Sequence, residues 1–353
     1  MTQARTPSEL PAFSPSTSAT VLTAEQVSTA LTAACRAPSL HNSQPWTFHV
    51  GPDHLSVSID ERRLLHGADP DGREARISCG AAAFNLRTAL VDLGLATTLS
   101  IPTSGDAPLA RVDVTGHRPP LEHERDLARA LWRRATNRRP FSDTEIPLDT
   151  LCRLQDAATA EGAVLTIVNA PGLRERIRTL SNQALVTQRE DPLWMADWAA
   201  WTGRDGTADG VPAAAAGLPP SQDDLWNRRD YGSRDRTGHL PGKDYEHEPV
   251  IAVLSTWDDF RSTQVRAGLA LQRVLLAATV HGLAASFLSQ TVEVPGARAA
   301  LRGMLKYQLQ PQVVLRLGYG TPAALTPRRP YGDCLDNGCS DAESGEGSLS
   351  RRD

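Results

Sequence analysis

The sequence is poor in lysine, in cysteine and in long apolar runs, and each shortage removes a class of protein. Lys243 and Lys306 are the only lysines among 37 basic residues, so positive charge comes almost wholly from arginine. Against 41 acidic residues the formal net charge is −4, which gives no global basic field for nucleic acid or an anionic membrane. The longest apolar stretches break well before the roughly 18–20 residues that a bilayer span needs. Residues 1–20, rich in Ser, Thr and Pro, hold no continuous apolar core of a secretory signal. The cysteines, Cys35, Cys79, Cys152, Cys334 and Cys339, are scattered and odd in number, and only the last two lie close, without a partner at metal-finger spacing. They read as reduced thiols of a cytoplasmic protein. There is no Gly-x-Ser-x-Gly elbow, and Gly318-Tyr-Gly320 lacks the strand–turn–helix setting of a dinucleotide site. His247 lies between Glu246 and Glu248, but alternating neighbours of an extended segment point apart, so no shared metal follows.

What is present is a chain of 353 residues, 40% apolar, enough for a sizeable core and, at roughly 150 residues per domain, for about two domains. Thr23 and Gln26 form a capping box before Val27, Ala30, Leu31 and Ala34, and that helix stops at Ala37-Pro38. Strands are expected at Trp46–Val50 and Leu55–Ile59, a helix over 75–93 ended by Gly94, then strands near 95–101 and 109–115. Helices follow at 123–135 and from Pro147, placed in a first turn, to Gly162. Val164–Val168 and Pro249–Thr256 read as strands, with one face of a helix marked by Leu173, Ile177, Leu180 and Ala184 between them. The remainder reads as helix 260–281, strand 283–290, helix 295–305 and strand 312–319.

Two stretches of this pattern match. Gly80…Gly94-Leu95-Ala96 and Gly268…Gly282-Leu283-Ala284 each enclose an apolar helix between glycines 14 apart and lead into a strand. Helix–Gly–strand units also recur by chance, but each copy ends in a further strand that reaches a glycine, at Val112–Gly116 and Val313–Gly318. Residues 190–247 lie outside the plan and carry Trp194, Trp198, Trp201 and Trp226, four of seven tryptophans. A connection this long with its own aromatics is a functional lid or a pinned surface insertion. Residues 336–353 are acidic and Ser/Gly-rich and read as a disordered tail, as do residues 1–21 at the other end.

Three segments can carry chemistry. Arg133-Arg134-Ala135-Thr136-Asn137-Arg138-Arg139-Pro140-Phe141 is competent to bind an anion, because guanidinium forks match phosphate and a Thr hydroxyl adds a donor. A solvated basic patch is the plain alternative. Pro327-Arg328-Arg329-Pro330 is a second basic knot, stiffened by its prolines, that could close on the same phosphate. Ala37-Pro38-Ser39-Leu40-His41-Asn42-Ser43-Gln44-Pro45-Trp46 offers short polar groups to the edge of a heterocycle, or is simply a capped loop. A Ser39/His41 nucleophilic dyad lacks an orienting carboxylate.

These segments, with Asp-Pro-Asp-Gly-Arg-Glu at 69–74 and Gly-Leu-Ala-Ala-Ser-Phe-Leu-Ser-Gln at 282–290, run in order over about residues 22–335 and together resemble the nitroreductase superfamily, specifically its Acg-like branch of FMN-binding proteins. The resemblance implies an α+β nitroreductase-like fold made of two tandem degenerate copies, an intramolecular pseudo-dimer. The halves would be 22–120 and 121–335, the second carrying a lid insertion at about 190–247. It implies one FMN per chain: Arg134, Thr136, Arg138, Arg328 and Arg329 on the phosphate, and Pro38, Ser39, Asn42 and Gln44 reaching the flavin from the other half. The backbone at Leu288, Ser289 and Gln290 would lie near flavin N5, where ordinary relatives often carry Glu-Gly; with Ser289-Gln290 in that place, NAD(P)H as reductant is left open. The expected activity is hydride transfer through the flavin to or from a nitroaromatic, quinone or metabolite. The alternative is an FMN storage or sequestration protein whose lid blocks nicotinamide. A monomer without nucleic-acid or membrane partners is expected.

Overall fold

The computed structural model describes residues 21–103, 108–217, 219, 226, 229–231, 249–305 and 308–336. The expectations for residues 1–20, for 232–248 of the insertion and for the tail beyond residue 336 lie outside the described residues.

Helix α1 (Ala24–Ala34) opens on the expected capping box: the Thr23 hydroxyl accepts from the Gln26 N–H at 3.2 Å, and the Gln26 side chain accepts from the Thr23 N–H at 2.9 Å. Strands β1 (Trp46–Val50) and β2 (His54–Ile59) form a hairpin. Helix α2 (Arg73–Asp92) begins before its apolar pattern because the Asp69 carboxylate caps it from outside, accepting the N–H groups of Glu74 at 3.0 Å and Ala75 at 2.9 Å. Strands β3 (Leu95–Ser100) and β4 (Ala110–His117) complete an antiparallel sheet of order β1-β2-β4-β3.

Helix α3 (Glu122–Leu131) stops short of residue 135, because the arginine-rich segment leaves it to run beside the second sheet. Helix α4 (Leu148–Thr159) has Pro147 as its N-cap and not in its first turn. Then come β5 (Val164–Ile167), α5 (Pro171–Glu190), α6 (Pro192–Trp201), β6 (Val250–Thr256), α7 (Arg261–Val280), β7 (Ala284–Phe287), α8 (Gln290–Glu293), α9 (Pro295–Met304) and β8 (Gln310–Gly318). The second sheet has the order β5-β6-β8-β7. The strand expected over 283–290 is cut at Phe287: Ser289 takes right-handed helical backbone, and the Leu288 carbonyl accepts from the Thr291 hydroxyl at 2.7 Å. Helix α6 lies in the stretch read as an irregular connection. Its start is legible after the fact, since Asp191 caps it through its carboxylate and Pro192 occupies the first turn.

The sheets are buried differently, and their sequences follow. β6 and β8 are covered on both faces, by α4 and α7 on one side and by α5, α8 and α9 on the other, so β6 reads as a near-continuous apolar run and β8 as one interrupted by the buried Arg316. β4 alternates, with one face on the first core. Between the sheets α2 and α7 cross backbone to backbone. A Cβ on Gly80 would stand 2.0 Å from the Val265 carbonyl oxygen, and one on Gly268 would stand 2.0 Å from that of Ile77. The glycines aligned by the sequence repeat therefore meet in space.

After β8 the chain returns to the first sheet. Leu335 bridges to Phe48 of β1, the Asp336 N–H donates to the Phe48 carbonyl at 2.8 Å, and Cys334 joins the first core. Ala130 and Leu131 of α3 pack there too, so the packing does not divide at residue 120. Among the described residues no helix is long and apolar enough to cross a membrane.

Candidate active site

The loop after α1 takes an unusual course. His41, Asn42 and Gln44 have φ of 48°, 57° and 52°, left-handed values that non-glycine residues adopt at a cost of about 1 kcal/mol or more each. Side chains hold it there. The Ser39 hydroxyl accepts from the Gln44 N–H at 2.9 Å, and Asn42 Nδ2 donates to the carbonyls of Gly210 at 2.9 Å and Pro327 at 3.1 Å. Gln44 Nε2 donates to the Ala208 carbonyl at 2.9 Å while its Oε1 accepts from the Arg329 N–H at 2.9 Å. Asn42 and Gln44 thus fasten the insertion and the C-terminal segment onto this loop.

A cavity opens beside it. Pro38, Ser39 and His41 line it from the loop, Glu74, Ile77 and Ser78 from α2, Thr136 and Arg138 from the arginine-rich segment, and Ser286, Phe287 and Ser289 from the end of β7. Thr136 is placed by a parallel bridge to Ala285, reinforced by the Asn137 N–H donating to the Ala285 carbonyl at 2.9 Å. Of the residues singled out in the sequence, Pro38, Ser39, Thr136, Arg138 and Ser289 converge here. Leu288 and Gln290 line a small adjoining recess that shares Arg138 and Phe287. Gln290 is also tied to α5, its Nε2 donating to the Ser181 hydroxyl at 2.6 Å. Asn42 and Gln44 face other chain segments. The Ser39/His41 dyad does not form, since the Ser39 hydroxyl is held by Gln44 and His41 Nε2 has no hydrogen-bond partner.

Next to the cavity, outside its lining, lies a concentration of positive charge. Arg134 is buried and Arg328 half-buried, and the Nε of each is buried without a partner. Arg328 donates through Nη1 to the Pro327 carbonyl at 2.9 Å and through Nη2 to the Ala37 carbonyl at 3.2 Å. Arg36, at the end of α1, is the third member. Burial, then repulsion from Arg36 and Arg138, brings Arg134 down to about 10, and burial with repulsion from Arg134 and Arg36 drives Arg328 well below the ordinary arginine range. Among the described residues no carboxylate pairs with any of the three. Arg329 points elsewhere: its guanidinium donates to the carbonyls of Gln44, at 3.4 Å, and Asp333.

The insertion packs aromatic rings behind His41, and of these Tyr231 lines the cavity. Trp194 and Trp198 stack at 5.0 Å, Trp198 meets the His41 ring edge-on at 5.2 Å, and Tyr231 lies 4.8 Å from Trp198. Arg229 sits 5.4 Å and 5.5 Å from the two indoles and pairs with the buried Glu293 at 3.1 Å. Burial, which outweighs the attraction of Glu293, pushes the His41 imidazole down to about 3. A histidine held neutral in the fold stabilises fully only above its unfolded value near 6.5, and that stability drains away as pH falls toward 3. The expected result is that the wild type loses up to about 1.4 kcal/mol per pH unit over that window relative to His41→Asn, an exchange that suits the left-handed backbone. Denaturant titrations across acid pH check this.

Sequence reasoning missed Arg36, Glu74, Arg229 and Tyr231. Glu74 closes a quoted motif, and its place on the cavity could have been read from its spacing with Ile77 and Ser78 along α2, one helix face. No local signal marks Arg229 or Tyr231.

No family profile matches the chain. A protein of Mycobacterium tuberculosis named "Putative NAD(P)H nitroreductase acg" is 30% identical over 318 residues, covering 88% of this chain and 95% of its own. A second M. tuberculosis protein of the same designation, differing in its locus name, is 33% identical over 335 residues, covering 89% of this chain and 92% of its own. Among solved structures, the FMN-dependent nitroreductase NfnB from Mycobacterium smegmatis in complex with NADPH has 17% identity and a TM-score of 0.39, covering 65% of this chain and all of its own. A nitroreductase with bound FMN from Bacteroides fragilis has 14% identity and a TM-score of 0.35, over 64% of this chain and 98% of its own. The chain is a member of the nitroreductase superfamily. Within it, it belongs to the Acg-like proteins.

Proposed function

We propose that this chain is an FMN-dependent oxidoreductase of the nitroreductase type, holding one FMN in the cavity and passing hydride between NAD(P)H and a small acceptor such as a quinone or nitroaromatic. The observation that carries the reading is the unopposed cluster of Arg36, Arg134 and Arg328. Buried cations without counter-ions are costly, and a phosphate monoester would offset that cost with charge-assisted hydrogen bonds to the unpartnered Nε groups. The chemistry of the donors fits FMN: Thr136 and Arg138 on the cavity, backed by the three arginines just outside its lining, would take the phosphate, and Pro38, Ser39 and the backbone at Ser286–Ser289 would flank the ring system. FMN supplies the hydride-accepting centre. The chain's own part is to orient it, exclude water and steer charge.

The reading includes a fused pseudo-dimer. Its support is the matching strand order of the two sheets and the reciprocal approach of Gly80 and Gly268. The first half brings the loop at 38–41 and the second brings the arginine-rich segment, so a single complete site results.

A second reading, FMN storage, is favoured by one feature: Trp198 and Tyr231 pack against His41 and Arg138, two residues of the cavity wall. Anaerobic mixing of the FMN-loaded protein with NADH or NADPH separates the two. Bleaching of the flavin absorbance supports the oxidoreductase, whereas bleaching by dithionite alone supports storage. Under either reading Trp198→Ala removes the ring that backs both His41 and Tyr231 of the cavity wall, and FMN should leave about tenfold faster or more, as followed by the recovery of flavin fluorescence on dilution.

A further inference from the structure

The segment Asp69-Pro-Asp-Gly-Arg-Glu74 plays no part in holding the cofactor as described above, yet the fold spends several contacts on aiming it. Asp69 caps α2 at the N–H groups of Glu74 and Ala75. Arg73 is buried and fixed by the Gln312 carbonyl at 2.8 Å and the Val292 carbonyl at 3.2 Å, and its Nη2 donates to Glu74 Oε1. With its neighbours so held, Glu74 presents its carboxyl to the cavity on the same helix face as Ile77 and Ser78.

We propose that Glu74 is the proton donor of this cavity, supplying the single proton that accompanies each hydride added to a quinone or nitro acceptor. The proposal rests on the oxidoreductase reading. A quinone that takes up one hydride becomes a hydroquinone monoanion, and one proton completes the hydroquinone. A nitro group that takes up one hydride and one proton loses water to become nitroso. In both cases the Glu74 O–H bond breaks, an O–H bond forms on the acceptor, and the electron pair stays on the carboxylate beside Arg73. NAD(P)H is the source of the hydride, and water returns the proton to Glu74.

The other polar groups on the cavity are engaged differently. His41 is neutral at physiological pH with its proton affinity depressed, the Tyr231 phenol is held by the guanidinium groups of Arg229 and Arg138, whose charge outweighs its burial and draws it below the ordinary phenol range, and hydroxyls such as Ser39 and Thr136 do not titrate there. Glu74 is pushed up to about 7, first by burial, with Asp69 and Glu293 of α8 opposing its ionisation and Arg73 and Arg298 of α9 favouring it. Across the cavity it faces the Arg229–Glu293 pair and Arg138. A donor whose affinity lies near the working pH is best matched to proton transfer.

The test uses wild type, Glu74→Gln and Glu74→Asp. In flavin-free protein, infrared difference spectra should show a carboxyl C=O band that titrates near pH 7 and is missing in Glu74→Gln. In FMN-loaded, dithionite-reduced protein, re-oxidation by p-benzoquinone should be constant at low pH and fall about tenfold per pH unit above about 7. Glu74→Gln should hold FMN normally, react about 100-fold more slowly at low pH and lose the pH dependence, and Glu74→Asp should restore part of the slope. Glu74→Gln protein that binds FMN yet keeps the wild-type rate and slope, or a carboxyl titrating at the ordinary value, overturns the role of Glu74 alone. Wild type that takes up no FMN overturns the parent reading and this one with it.

Discussion

Arg134→Ala and Arg328→Ala should each produce protein that is folded and nearly colourless. Truncating one member of a buried charge-assisted contact costs about 2–5 kcal/mol, which is a loss of FMN affinity of roughly thirty-fold to several thousand-fold. At Arg134 the sign of the stability change separates this from mere damage. In the flavin-free protein Arg134 is a buried cation repelled by its neighbours, so its removal should leave stability unchanged or raise it, whereas Arg328 also ties backbone carbonyls and its removal should lower stability modestly. Riboflavin gives a second check: wild type should discriminate strongly in favour of FMN, and the variants should discriminate little. Arg329→Ala is the control, because its guanidinium is engaged by the Gln44 and Asp333 carbonyls, and its flavin affinity should change by less than about threefold. Titration of flavin fluorescence measures all of these. Arg134→Ala protein that keeps FMN at wild-type affinity removes the phosphate clamp.

The largest effect on stability is expected at Gly80. An added methyl would lie 2.0 Å from the Val265 carbonyl oxygen, and the atom it meets is backbone of a helix that is itself buried between two sheets. Neither helix can give without opening both cores, so Gly80→Ala should cost about 3 kcal/mol or more, and Gly268→Ala a similar amount. Gly172 is the comparison. It lies in the first turn of α5 with nothing within 4 Å of a would-be Cβ, and alanine there should be neutral or stabilise by up to about 1 kcal/mol. Equal effects at Gly80 and Gly172 in denaturant unfolding would show that the helices do not need the close approach.

Much of the fold was legible because its signals are local. The Thr23–Gln26 box, the glycines after α2 and α7 and the apolar strands β6 and β8 each declare themselves within a few residues. The repeat also named the two glycines that touch, although a pattern along the chain cannot say that they touch each other. What was hidden depends on partners far away. Arg36 becomes part of a cation cluster only because Arg328 packs against its carbonyl, and Arg329 turns from that cluster because Gln44 and Asp333 offer it acceptors. The end of β7 was overrun because Leu288 still donates to β8 while Ser289 has already turned helical, and composition does not mark that step. The left-handed course of His41, Asn42 and Gln44 was equally silent, being enforced by Gly210, Ala208 and Pro327.

The contact between the Arg328 guanidinium and the Arg36 carbonyl joins positions 292 apart in the chain. During translation the α1 loop leaves the ribosome long before the arginine that closes on it is made. β8, which sits between β6 and β7, also arrives late. The proposed phosphate grip is therefore complete only when the whole chain is made, and loading would follow synthesis. Under riboflavin limitation such a protein would accumulate complete but empty, ready to take up flavin when supply returns.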